Sequence, residues 1–172
     1  MREITKIMKG WEFTGPDGTT TTVDLPHTWN ARDGQDGGND YWRGTCIYRT
    51  RFAAPQFNTA SHQVWIQFDG VNASAHVVLN GSPVCNHDGG YSTFRANITE
   101  LLRDENELTV EVDNSKNDRV YPQKADFTFY GGIYRDVHIL IVPHSHFALS
   151  DHGAPAMIQQ LNAALNKIKK EG

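Results

Sequence analysis

The stretch Ser74-Ala75-His76-Val77-Val78-Leu79-Asn80-Gly81 decides the fold class. Ala75, Val77 and Leu79 alternate with polar or smaller residues, which places them on one face of an extended strand. Asn80-Gly81 follows as a type I′ hairpin signal, because both residues tolerate positive φ. The same two-residue period runs outward on both sides. In CIYRTRF, Cys46, Tyr48, Thr50 and Phe52 share a face, while Arg49 and Arg51 point the other way. VWIQFDG groups Val64, Ile66 and Phe68, and Asp69-Gly70 ends the run. ELTVEVDN sets Leu108, Val110 and Val112 against Thr109, Glu111 and Asp113. YRDVHILIVP is more continuously apolar, as a strand covered on both faces would be, and Pro143 stops it. Only ITELLRDEN reads as locally helical, for a turn or two. Many short strands between Gly, Asn, Asp and Pro turns predict an all-β chain, a β-sandwich or jelly roll.

The last segment changes character. SDHGAP has the composition of a linker, and AMIQQLNAALNKIKKEG follows it. Ile158, Leu161, Leu165 and Ile168 have 3-4-3 spacing, and the final lysines suit a helix C-terminus. The expected organisation is a sandwich over residues 1–150, a linker over 151–155 and an amphipathic helix over 156–172. That helix could dock on the sandwich, be an appendage, or drive homo-oligomerisation. Two heptads are too few to hold a coiled coil alone.

At 172 residues with a net charge of −4, the chain has the size of one domain and no basic patch. Nucleic acid and anionic membranes are therefore not expected partners, and no apolar run approaches a membrane span. The start MREITKIMKGWEF lacks an apolar core and a cleavage site. This reads as a cytoplasmic protein, or a periplasmic one from which a signal was removed. Cys46 and Cys85 read as two buried free thiols rather than a disulfide framework. The sequons at Asn72 and Asn97 carry meaning only in a secreted chain.

The polar loop NARDGQDGGNDYWRG, residues 30–44, resembles a calcium loop at first sight. Counted from Asp33, the third position is Gln35, the sixth Gly38 and the twelfth Gly44, where a bidentate glutamate is required. The loop therefore reads as a structured turn. The eight histidines lack zinc spacing, although His144 and His146 would share a strand face near His138. Arg135-Asp136 reads as a structural pair at a strand start. There is no nucleophile elbow and no phosphate loop, so neither metal nor cofactor is expected. The 20 carboxylates could include a glycosidase pair, but no motif singles one out. The composition does suit carbohydrate. Trp29, Tyr41, Trp42, Tyr91, Tyr121, Phe127, Phe129, Tyr130 and Tyr134 lie in or near loops rich in Asp and Asn, and loops at sandwich ends carry binding sites. Trp11 and Trp65 read as core.

Several segments in order resemble the amino-terminal domain of glycoside hydrolase family 2, the family of β-galactosidases and β-glucuronidases. They are GWEF, VDLPHTWN, YWRGTCIYRTRF, FDGVNASAHVVLNG, HDGGYSTFRANITELLRDENELTVEVDN and GGIYRDVHILIVP, spanning roughly residues 8–150. GQDGGNDYWRG and VYPQKADFTFYGGIYRDV look most like bacterial β-galactosidases. The resemblance implies a jelly-roll, galactose-binding-like sugar-binding domain. In complete members an immunoglobulin-like domain and a (β/α)8 barrel follow, and the barrel carries both catalytic glutamates. The chain ends about where the next domain should begin, so the fragment is expected to be inert alone. The expected partner is a terminal β-galactoside, held together with that barrel. The resemblance matches Asp126 to an aspartate that contacts the terminal sugar. It matches Asn39 first, and Asp40 next, to an asparagine contact. The competing expectation is an independent lectin-like carbohydrate-binding module.

Overall fold

A computed structural model describes residues 2–31, 42–120 and 130–144. The expected helix over 156–172, the linker 151–155, and Asn39, Asp40 and Asp126 lie outside them.

The described residues form two facing antiparallel sheets. The strands are β1 (Glu3–Lys6), β2 (Trp11–Thr14), β3 (Thr20–Val23), β4 (Thr45–Ala53), β5 (His62–Phe68), β6 (Val71–Asn72), β7 (Ser74–Leu79), β8 (Ser82–Asp88), β9 (Phe94–Asn97), β10 (Glu105–Asp113), β11 (Gly132–Ile133) and β12 (Val137–Pro143). One sheet runs β1-β12-β5-β9 and the other β3-β2-β4-β10-β7-β8; β11 and β6 form a short ribbon. This is the expected all-β sandwich, of jelly-roll type. The expected helical turn is a single 3₁₀ turn, Thr99–Leu101.

Alternation sets what each strand buries. Cys46, Tyr48 and Thr50 of β4, Val64, Ile66 and Phe68 of β5, Ala75, Val77 and Leu79 of β7, and Leu108, Val110 and Val112 of β10 are all buried. Burying such side chains between sheets is the main driving force, at about 1.5–3 kcal/mol each. β12 is buried at every residue from Val137 to Val142, as its unbroken apolar run predicts. At the β7–β8 hairpin Asn80 and Gly81 have φ of 53° and 80°, the left-handed pair that a I′ turn needs.

Trp65 is a correction. It is partly exposed and lies outside the core, because Val64 and Ile66 point inward and Trp65 must point outward with Gln63 and Gln67. Its indole N–H donates to Gln63 Oε1 at 3.1 Å. Trp11 is core, fully buried. Asn72 is buried and donates its amide to the Tyr130 carbonyl at 2.6 Å, so its sequon offers no accessible acceptor.

Candidate functional site: one end of the sandwich

β4 and β10 run antiparallel, with Thr45 opposite Asp113 at one end and Ala53 opposite Glu105 at the other. Buried asparagines organise both ends. At the Ala53 end, Asn106 accepts from the Arg103 N–H at 2.9 Å and from the Asn80 amide at 2.9 Å. At the Thr45 end the organising side chain is Asn30, which is fully buried.

Asn30 Oδ1 accepts from the Gly131 N–H at 2.7 Å and from the Asn114 amide at 3.2 Å, and Asn30 Nδ2 donates to the Trp42 carbonyl at 2.8 Å. Asn114 Oδ1 in turn accepts from the Gly44 N–H at 2.9 Å, and the Thr28 hydroxyl donates to the Gly131 carbonyl at 2.7 Å. A satisfied buried amide of this kind specifies one arrangement, since leaving any member unpaired would cost about 1–3 kcal/mol. Asn30 and Trp42 are the roots of segment 32–41, which contains Asn39 and Asp40. Tyr130 and Gly131 form the exit root of segment 121–129, which contains Asp126. The approach to that second segment is tied down too: Arg119 Nε donates to Asp88 Oδ2 at 3.0 Å, and Asn117 Nδ2 to Ser74 Oγ at 3.2 Å. The Asp88 carboxyl lies below its ordinary pKa, first because Ser74 donates to it and then because of Arg119. The structure thus brings the roots of both sequence-predicted segments to one end, while the three candidate side chains lie outside the described residues. Sequence reading missed Asn30, Asn72 and Asn114. The only signal was a polar residue at the end of HTWN, and no spacing rule announces bonds between residues that lie 84 and 101 positions apart.

The rings around these roots are closely fitted. Phe13 and Trp29 stack with centroids 6.1 Å apart, and Trp29 meets Trp42 edge-on at 6.1 Å. A cleft of about 690 Å³ opens beside them, lined by Phe13, Thr21, His27, Thr28, Trp29 and Ala31 among others. A Cβ at Gly131 would sit 1.9 Å from the Trp29 ring, and one at Gly132 would sit 2.3 Å from the His27 carbonyl. Only glycine lets β11 pass this close. His27 Nδ1 lies 2.7 Å from the Tyr48 hydroxyl. Burial lowers the His27 pKa and raises that of Tyr48, so both are neutral at pH 7. Burial also pushes the Cys46 thiol up to about 12 and Cys85 to about 11. Both cysteines are free, as expected, but only Cys46 is buried and Cys85 is partly exposed; neither is a thiolate nucleophile.

Among the described residues, one group has metal-ligand chemistry: Asp69, Asp136 and His138, with ligand atoms within 4.8 Å of one another. The Lys6 ammonium already bonds Asp136, and His138 Nε2 lies 2.9 Å from Asp69 Oδ2. The lysine supplies the cation that two carboxylates call for, so the group works as a polar clasp between β1 and β12. Asp136 thus has a structural part, but its partner is Lys6 rather than the neighbouring Arg135, whose guanidinium lies over the Tyr134 ring, 5.5 Å from the centroid. His144 lies with Nε2 2.8 Å from the His62 carbonyl, away from His138's partner.

The family described as glycosyl hydrolases family 2, sugar binding domain, matches residues 20–143. A β-glucuronidase of Bacteroides fragilis is 38% identical over 143 residues, covering 81% of this chain and 20% of its own length. A β-galactosidase of Thermoanaerobacter pseudethanolicus is 30% identical over 141 residues, covering 79% of this chain and 19% of its own. Among solved structures, an FMN-binding β-glucuronidase from Facaelibacterium prausnitzii L2-6 is 45% identical with a TM-score of 0.82, over 90% of this chain and 25% of that one. The chain spans about a fifth of the length of these curated relatives. The match takes in β3 through β12 and both sets of loop roots, and the chain belongs to the sugar-binding domain family of glycosyl hydrolase family 2.

Proposed function

We propose that this chain is the substrate-recognition domain of a larger family 2 glycosidase, and that the substrate is a terminal β-glucuronide. The observation that carries the reading is the buried Asn30 tie, which joins the roots of both candidate sugar-contacting segments at one end of a family 2 fold. Over three quarters or more of the chain, relatives named as β-glucuronidases reach 38% and 45% identity and those named as β-galactosidases 30% and 36%, and this favours the uronic acid over the galactoside expected from the sequence. A terminal β-galactoside is the second reading, favoured by the Thermoanaerobacter relative.

In this reading Asp126, with Asn39 or Asp40, accepts hydrogen bonds from ring hydroxyls of the terminal sugar. A carboxylate suits hydroxyls and not the C6 carboxylate of a uronic acid, since like charges repel. Such contacts set selectivity because a sugar lacking the right hydroxyl leaves a buried acceptor unpaired. Hydrolysis belongs to a catalytic domain that contributes both glutamates, and the 172-residue chain by itself is expected to turn over no aryl glycoside. The longer enzyme carrying this domain should hydrolyse 4-nitrophenyl β-D-glucuronide in preference to the β-D-galactoside. Preference for the galactoside would install the second reading. Failure to cleave either would refute the glycosidase assignment.

A further inference from the structure

Trp42 is 38% exposed, yet it is among the most firmly mounted residues at the sugar-recognition end. Its carbonyl accepts from the buried Asn30 amide at 2.8 Å. Its ring meets Trp29 at an interplanar angle of 64° with centroids 6.1 Å apart. Its benzo edge lies so close to Gly44 that a Cβ there would fall 2.6 Å from Cη2 and Cζ2. Gly44 is itself fixed, since its N–H donates to Asn114 Oδ1 at 2.9 Å.

An indole held this way has already lost its rotamer entropy, while part of its apolar surface still faces water. That combination stabilises the isolated domain poorly and suits binding well, because a partner need not order the ring again. The position fits a sugar: Trp42 is the exit root of the segment containing Asn39 and Asp40. A pyranose offers an apolar C–H face, which packs on an aromatic ring while its hydroxyls reach polar neighbours. Tyr91, at 61% exposure, is the other exposed aromatic ring among the described residues. It meets Tyr134 edge-on at 6.3 Å.

We propose that the Trp42 indole is a preorganised stacking platform for a pyranose ring. This inference rests on the sugar-recognition reading above. In the longer glycosidase, Trp42→Ala should raise KM about tenfold, near 1.4 kcal/mol, while kcat moves far less. That is the pattern of binding lost equally from ground and transition states. Trp42→Phe should recover most of the loss, which a merely bulky packing residue would not require. Gly44→Ala should copy the Ala variant by displacing the ring. An unchanged KM in Trp42→Ala overturns the platform, and so does a lowered Tm with KM unchanged, which would mark Trp42 as packing against another domain. Titration of the 172-residue chain with methyl β-D-glucuronide and methyl β-D-galactoside, read by the NMR signals of its four indole N–H groups, separates this failure from failure of the enzyme assignment. If the longer protein cleaves no glycoside, a saturable shift of the Trp42 signal still supports the platform. Shifts that spare Trp42, or no shift of any indole, count against it.

Discussion

Removing the Asn30 side chain leaves the buried Gly131 N–H and Asn114 amide without their acceptor, and the part-buried Trp42 carbonyl without its donor. Asn30→Ala is therefore expected to cost about 3 kcal/mol in urea unfolding, well above the usual surface substitution. Asn30→Asp restores the acceptor but not the donor and should be intermediate. Gly131→Ala drives a methyl into the Trp29 ring and should cost at least as much. His27 gives a pH signature. Its folded-state pKa lies below the ordinary 6.5 because of burial, so the folded protein binds fewer protons than the unfolded chain. Its contribution to stability is complete above the unfolded value and is lost as pH falls through the folded one. The Tm should fall as pH drops below the ordinary imidazole value of about 6.5, and a His27→Gln variant should show a flatter slope there. An identical slope in the variant would place the titration elsewhere.

At the scale of elements, the β7–β8 turn separates two effects in neighbouring residues. Gly81 has φ of 80° with open space around its Cα, so Gly81→Ala should cost only the left-handed strain, about 1 kcal/mol. Asn80 shares the left-handed conformation, but its amide also donates to the Leu101 carbonyl and to Asn106, and its Oδ1 accepts from the Glu107 N–H. Asn80→Ala should cost more than Gly81→Ala by chemical denaturation, and the reverse order would contradict this account of the hairpin. The strands were legible because one buried face imposes a two-residue period. The same period places Trp65 outside with Gln63 and Gln67, against the usual preference of aromatic rings for a sandwich core. The I′ turn was legible because its backbone needs two particular residues. The asparagine hubs were not, since their bonds depend on which loops the fold brings together. For Asn39, Asp40 and Asp126 the sequence supplied a resemblance, and the described structure supplies the roots of their segments.

For the whole molecule, the fold, the family and the shared position of the loop roots stand together. The substrate and the assembly are the parts that need solution measurements. If the segment 156–172 drives association, gel filtration should show a larger species for the 172-residue chain than for one truncated after residue 150. A monomer in both cases would remove that role. The central claim is that this domain recognises sugar through polar segments whose roots lie at one end of the sandwich. It is tested most directly by kcat/KM of the longer glycosidase with Asp126→Ala, measured on 4-nitrophenyl β-D-glucuronide. The account predicts a fall of about two orders of magnitude or more, roughly 2.7 kcal/mol of transition-state stabilisation. Kinetics within about twofold of the unsubstituted enzyme would contradict it.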